Sequence, residues 1–177
     1  MRWLGSVLAL LCLASGCTRR EATGLNPGDL APPIDLKTTD GQALKLSDFR
    51  GKVVLLNFFS AWCGPCKLEA PDLERLNTRF KDQGFAVVGV GMDDTLEHFM
   101  EFKREFGLTF PIFFDPDASL RNDYKVSGFP ESFFLDRGGH IVMVPDIGSD
   151  EPVVKIVGPR EWSSEQTASL IQALLKK

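Results

Sequence analysis

The chain has no basic excess. Its formal net charge is -4 at pH 7, which argues against a nucleic-acid partner, because such binders carry a surplus of Lys and Arg. It also lacks an apolar run of the roughly 20 residues that a membrane-spanning helix needs. Trp3 to Ala14, the stretch that comes nearest, is too short. Metal ligands are scarce. A structural zinc asks for four ligands, usually as two close pairs. Here one close pair exists, Cys63 and Cys66, while His98 and His140 have no partner at ligand spacing and read as surface or turn residues. No metal and no other cofactor is expected. Internal repeats, heptads and low-complexity tracts are missing too. What is present is 177 residues, 44% hydrophobic and 25% charged, enough for one globular domain with a proper core.

The beginning of the chain stands apart. Arg2 precedes "WLGSVLALLCLA", Trp3 to Ala14, and then "SGC", the order of a secretory signal: a positive start, an apolar middle and small residues at the exit. "LASGC" also resembles a bacterial lipobox, with cleavage before Cys17 and a lipid on its sulfur. Ala14 stands where that motif more often has Leu. The simpler alternative is a plain signal cut nearby, with Cys17 a bystander. The expected organisation is a lipoprotein signal over 1–16, a polar flexible tether over 17–30 and a folded domain over 31–177. Cys12 then leaves with the signal and Cys17 carries lipid, so Cys63 and Cys66 have no other cysteine to pair with. Export places them where thiols oxidise readily. A bridge closing so small a loop restrains the unfolded chain little, which favours chemistry over architecture for this pair.

Along the domain, "PPIDLKTTDGQALKLSDF" carries two short alternating runs around Asp40-Gly41, a hairpin signal. "KVVLLNFF", Lys52 to Phe59, is nearly continuous apolar sequence and predicts a strand buried on both faces. A helix follows with Leu73, Leu76 and Phe80 on one face. Pro71 should kink it and Gly84 stop it. "FAVVGVG", Phe85 to Gly91, predicts a second buried strand. Asp93 and Asp94 are candidate caps for a helix bearing Phe99, Phe102 and Phe106 and ending near Gly107. "FPIFFD" predicts a short strand and "DASLRNDY" a brief helix. "ESFFLD" and "HIVMV" flank a Gly138-Gly139 turn, and "VVKIV" predicts one more strand. A capping box of Ser163 and Gln166 opens a last helix with Ala168, Ile171 and Leu175 on its apolar stripe and Lys176 and Lys177 at its negative end. The alternation predicts an α/β fold with a sheet of mixed direction.

The stretch "SAWCGPCKLEAP", Ser60 to Pro71, lies where the first buried strand gives way to a helix. Unpaired N–H groups at a helix start favour an anion, so Cys63 is placed to be a thiolate nucleophile. Cys66, one turn on, can attack a mixed disulfide formed at Cys63, release the product and close an internal bridge. Gly64 and Pro65 suit a tight entry into the helix. Trp62 would either cover one side of the site or pack in the core.

"NFFSAWCGPCKLEAP" resembles the active-site segment of thioredoxin-like proteins, and most of all the membrane-tethered TlpA/ResA/CcmG group of bacterial thiol-disulfide oxidoreductases. The resemblance runs from about Ala31 to the C-terminus. It is carried by "LSDFRGKVVLLNFFSAWCGPC", then Glu69 and Pro71, then "VSGFPESFFLD", then "VGPREW". It implies a thioredoxin-like fold, a mixed central sheet flanked by helices, with an N-terminal β-hairpin and an inserted helix-strand unit at about Asp94 to Asp115. It implies that Pro130 is the cis-proline facing the cysteines, leaving the backbone of Phe129 to pair with an extended substrate; otherwise Pro130 is a turn residue. Glu69 matches the group's acidic residue, a proton shuttle for Cys66 if buried and a solvated helix residue if not. Thioredoxin's buried aspartate is replaced by Asn57, which leaves Glu69 as the candidate base. Glu131 matches a glutamate that follows the cis-proline in cytochrome-maturation members, or is an exposed edge residue. "PDIGSDEP", Pro145 to Pro152, departs from the pattern and is either a partner-contact loop or a tolerated insertion.

The function implied is an envelope-anchored reductase of partner disulfides, working through a Cys63-Cys66 redox disulfide. Its domain would face the periplasm or another extracytoplasmic space. Its clients would be apocytochrome c or copper-site proteins of cytochrome oxidase, and its electrons would come from a transmembrane thiol donor. The competing readings are a disulfide-forming oxidase, a thiol peroxidase and a copper-binding chaperone. The last would recruit His98, His140, Met92 or Met143 as ligands, and these form no evident cluster.

Overall fold

The computed structural model describes residues 25–177. The signal, Cys12, Cys17 and most of the expected tether lie outside those residues. Gly28 to Ala31, at the junction of tether and domain, are hydrogen-bonded to the turn at Gly139–Ile141, through Gly28 N–H to Ile141 O and Ala31 N–H to Gly139 O. No helix among the described residues is long and apolar enough to cross a membrane.

The organising element is a strand whose seven residues are all buried, β3 (Val53–Phe59). It pairs in parallel with β4 (Phe85–Met92), also buried throughout. β4 pairs in parallel with β5 (Ile112–Asp115). On its other side β3 meets β6 (Glu131–Leu135) antiparallel, and β6 meets both β7 (Ile141–Val142) and β10 (Ile156–Val157) antiparallel. The sheet is therefore mixed, in the order β10-β6-β3-β4-β5. β1 (Asp35–Lys37) and β2 (Ala43–Lys45) form the expected N-terminal hairpin around Asp40-Gly41. This is the thioredoxin-like α/β architecture.

Strand alternation divides the core in two. Val53, Leu55 and Phe59 face helices α1 (Gly64–Phe80), α2 (Leu96–Glu105) and α3 (Glu165–Leu175) through Leu73, Leu76, Phe99, Phe102, Ala168 and Ile171. Val54, Leu56 and Phe58 face the other way, onto Ile34, Leu46, Leu120 and Tyr124. α2 and β5 are the helix-strand unit expected between Asp94 and Asp115. α1 continues through Pro71 to Phe80, and a short 3-10 turn then reaches Gly84, whose φ of 88° is the left-handed stop.

Several local expectations are corrected. Thr95, not Asp93 or Asp94, caps α2, its Oγ1 accepting from His98 N–H. Asp93 instead adopts a left-handed backbone and pairs with Arg121. "DASLRNDY" is a run of turns, not a helix. Asp115 takes Ser119 N–H and Leu120 N–H on its carboxylate, and the left-handed residues Ala118 and Lys125 interrupt any helical path. Ser164, not Ser163, caps α3, accepting from Thr167 N–H. Gln166 reaches outward to Gly148 N–H and Asp150. Its target is the 145–152 segment, which forms a small hairpin between β8 (Val144–Pro145) and β9 (Pro152–Val153). "VVKIV" is accordingly split between β9 and β10.

Gly91 on β4 lets α2 settle. A Cβ there would lie 2.7 Å from the Phe99 ring, and Phe99 stands edge-on to Phe59 at 5.5 Å. Both are core residues, and Phe99 cannot retreat without moving α2. Gly91→Ala should cost about 1–3 kcal/mol through overpacking, read as a lower urea midpoint at unchanged slope. A variant as stable as the parent would show that α2 is free to shift.

Candidate active site

β3 ends at Phe59, and three residues later the chain enters α1 with Cys63 as its N-cap. Its side chain accepts from Cys66 N–H, with sulfur and nitrogen 3.2 Å apart. Gly64 and Pro65 fill the first helical positions, where proline loses no helical bond. Cys63 and Cys66 are joined as a disulfide with their Cα atoms 5.3 Å apart. Both are buried. A thiolate at Cys63 would sit on the positive end of the helix, with an amide N–H already directed at the sulfur.

The opposite wall is the turn before β6. The Phe129–Pro130 bond is cis, and the Phe129 carbonyl oxygen lies 3.6 Å from Cys63 Sγ. This loop is tied from below. Glu131, the first residue of β6, is fully buried, which removes the exposed-edge reading. Its carboxylate accepts from Ser127 Oγ at 2.6 Å and from Lys155 Nζ at 2.8 Å. Lys155 Nζ also donates to the Lys125 carbonyl at 2.8 Å. The carboxylate thus closes the turn that carries the cis-proline.

Trp62 is 63% exposed, so it is not a core residue. Its indole N–H donates to the Asp93 carbonyl at 3.0 Å, and its ring stands edge-on to Phe129 at 5.9 Å. Arg121 lies over the other side of Phe129, 5.4 Å from the ring centre. The surface around Cys63 is therefore an aromatic pair fixed by polar contacts at its rim.

Beneath the cysteines lies Glu69, one turn after Cys66 and 2% exposed. The solvated-helix reading is excluded. Its Oε1 accepts from Asn57 Nδ2 at 2.9 Å. Its Oε2 accepts from Trp162 Nε1 at 2.8 Å and from Arg160 N–H at 3.3 Å. Burial pushes the carboxyl up to about 7, and the bonds from Trp162, Asn57 and Arg160, with the Arg160 charge, keep it from rising further. Asn57 also donates to Ser132 on β6 at 2.9 Å. A group that titrates near neutrality beside a thiol can give or take its proton.

Sequence reasoning reached Cys63, Cys66, Glu69 and the Phe129–Pro130 turn, and the fold brings these together. It missed Trp162 and Arg160 as partners of Glu69. Both lie in the "VGPREW" motif, but their separation from Glu69, 93 and 91 residues, hides the contact. It also missed Ser127 and Lys155. Asn57 was read only as the replacement of thioredoxin's aspartate, not as a donor to Glu69. The remaining candidates lie elsewhere: His98 pairs with Asp94 beside α2, and His140 with Asp136 at the far end of the sheet. Met92 is buried in β4, whereas Met143 is half-exposed. No group of three or more His, Cys, Asp or Glu side chains suited to a metal ion occurs among the described residues.

Comparison with known proteins agrees with this geometry. Residues 27–144 match the model of the AhpC/TSA family. The thiol-disulfide oxidoreductase ResA of Bacillus subtilis is 34% identical over 145 residues, 79% of this chain and 80% of that protein. A crystal structure from Chlorobium tepidum, described as a thiol:disulfide interchange protein DsbE, superposes with a TM-score of 0.73 at 34% identity, covering 86% of this chain and 99% of that one. The thioredoxin domain of a Bacteroides vulgatus thiol-disulfide oxidoreductase gives a TM-score of 0.63 at 31% identity over 67% of this chain and 87% of its own. With a bonded cysteine pair at the mouth of α1 and relatives of this kind, the chain belongs to the AhpC/TSA family and is a thiol-disulfide oxidoreductase of the ResA/DsbE type.

Proposed function

We propose that the protein is an envelope-anchored reductase of disulfides in partner proteins. The observation that carries this reading is the placement of the Cys63–Cys66 pair at a helix mouth, against a cis-proline turn and above a buried carboxyl. The direction follows from Gly64 and Pro65, the spacer of thioredoxin, whose pair is reducing at about -270 mV. A lipid on Cys17 would hold the domain to the membrane, and a transmembrane thiol protein would supply electrons. By resemblance the clients are apocytochrome c or copper-site proteins of cytochrome oxidase.

The chemistry balances in two exchanges. The Cys63 thiolate attacks one sulfur of the client disulfide; that bond breaks and one client thiolate leaves. Cys66 then surrenders its proton to the Glu69 carboxylate and attacks Cys63 Sγ. The mixed disulfide breaks, the second client thiol departs and the internal bridge closes. Two electrons have passed to the client, and a donor dithiol restores the pair. Phe129 would align the client through its backbone, with Trp62 covering the sulfur. Glu131 acts by holding the turn, a support role in place of client contact.

Cys66→Ala should trap clients on Cys63 as mixed disulfides in the native host, identifiable after non-reducing separation. An empty Cys63 there removes the exchange mechanism. A reduction potential near about -120 mV would mark an oxidase instead.

Glu69 makes two further outcomes measurable. In a preformed mixed disulfide at Cys63, Glu69→Gln should slow release by Cys66 about 10²-fold and abolish the rise in that rate around pH 7. An unchanged profile would assign the proton to water. Stability supplies the independent check. Below about pH 4.5 the folded and unfolded chains both hold the Glu69 proton. Between about 4.5 and 7 the unfolded chain releases it while the folded chain keeps it, so stability falls as pH rises. The term amounts to something on the order of 3 kcal/mol. Relative to the parent, Glu69→Gln should therefore gain stability from pH 4 to pH 8 in parallel urea titrations. A constant difference would place the carboxyl at its ordinary value.

A further inference from the structure

A groove of about 210 Å³ opens beside the active site, on the side of Trp62 away from Phe129, between the start of α1 and the outer face of α2. Trp62 and Lys67 line one wall, and Asp94, His98, Glu101 and Glu105 the other. Three carboxylates face one lysine there. The Asp94 side chain is only 7% exposed. Its Oδ1 is occupied by Thr95 N–H at 2.7 Å and by the His98 ring. Its Oδ2 is buried and has no hydrogen-bond partner among the described residues.

An unsatisfied carboxylate oxygen is costly to bury. Neither of the other acids quenches it, since Glu101 and Glu105 add charge of the same sign. Lys67, across the groove, forms no ion pair among the described residues. His98 already serves Asp94 Oδ1, so what the groove lacks among the described residues is an N–H donor for Oδ2. A bare metal ion does not suit it, because no group of three ligating side chains suited to a metal is present among the described residues. An ammonium or guanidinium on a flexible stem does: the stem can lie along the Trp62 ring, which also attracts a cation, while the head meets Asp94 and Glu101. Trp62 is the immediate neighbour of the reactive cysteine, so a polypeptide held at Cys63 can place a flanking side chain in this groove.

We propose that this groove is a specificity subsite for a lysine or arginine side chain near the reactive cysteine of the client. The proposal rests on the reductase reading and adds to it a charge rule for client choice. The far side of Trp62 is built differently. There Arg121 covers Phe129 and is paired with Asp93, a neutral ion pair, whereas the groove carries an excess of carboxylates. A client with a cation on one side of its cysteine is thereby favoured in the orientation that brings that cation to the groove.

The test uses the reduced full-length protein and short peptides with one cysteine coupled to 5-thio-2-nitrobenzoate. Attack on the peptide sulfur expels the coloured thiolate, and Cys66 then frees the peptide thiol. Lys, Ala or Glu is placed in turn at each of the flanking positions, and the same disulfide on mercaptoethanol is the control. At one or two of those positions Lys should raise the second-order rate about tenfold over Ala, as expected for a charge-assisted bond to a buried carboxylate. Glu should lower it, and the preference should shrink at high salt. Asp94→Asn should flatten the series. Glu101→Lys, on the exposed face of α2, should invert it so that Glu peptides react faster. Both variants should reduce the mercaptoethanol control as the parent does. Equal rates for Lys, Ala and Glu peptides with a normal control would overturn the subsite alone, as would a Lys preference that survives both substitutions. A control that is not reduced at all would overturn the reductase reading together with it.

Discussion

The buried carboxyl of Glu69 is the constraint to which the rest of the site answers. It sits on α1, yet its partners come from β3, from the segment after β10 and from the approach to α3. A carboxylate removed from water destabilises a fold unless donors surround it. Three donors meet two oxygens here, enough to keep the ionised form accessible and too few to hold it at all pH values. The compromise leaves the group near neutrality, where a proton can move in either direction. The helix that carries Glu69 also carries both cysteines, so fixing the carboxyl fixes the register of the whole active turn.

Each partner has a structural reason to be where it is. Asn57 lies on the β3 face shared by Leu55 and Phe59, which alternation directs at α1. An apolar residue there would leave Glu69 Oε1 without a donor. Trp162 is fully buried, with its ring edge toward Phe134 at 6.3 Å, so its N–H has one permitted direction. On the opposite wall the same logic recurs at Glu131, a second buried carboxylate, but one with a lysine in contact. The two acids differ in what surrounds them. Glu131 meets a full charge and closes a loop; Glu69 meets neutral donors first and stays titratable.

How much of this was legible in the sequence depended on distance along the chain. β3, β4, the N-terminal hairpin and the faces of α1 and α2 follow from local periodicity and were read correctly. So was the order of motifs that placed Pro130 opposite Cys63. Errors clustered where a single side chain decides between neighbouring options. Thr95 caps α2 in place of Asp94, whose Oδ1 takes Thr95 N–H and the His98 ring, and of Asp93, which pairs with Arg121. The 117–124 segment has helical composition, but Asp115 captures its amides and two left-handed residues break it. Trp162 and Lys155 were invisible as functional neighbours, since nothing local marks a contact made across the sheet.

The 145–152 segment shows how such a long-range contact is supported. Its hairpin puts Asp146 against Arg160, with both carboxylate oxygens accepting from the guanidinium at 3.1 and 3.0 Å. Arg160 also reaches the carbonyls of Val157 and Pro159. With the side chain clamped at both ends of its planar fork, the backbone N–H has little freedom, and that N–H is the one donated to Glu69. Gln166 ties the tip of the same hairpin to α3 through Gly148 and Asp150. An insertion that only filled a gap would not need both anchors. The segment thus supports the longest of the three hydrogen bonds to the buried carboxyl, so a feature that looks peripheral in sequence lies one residue away from Glu69.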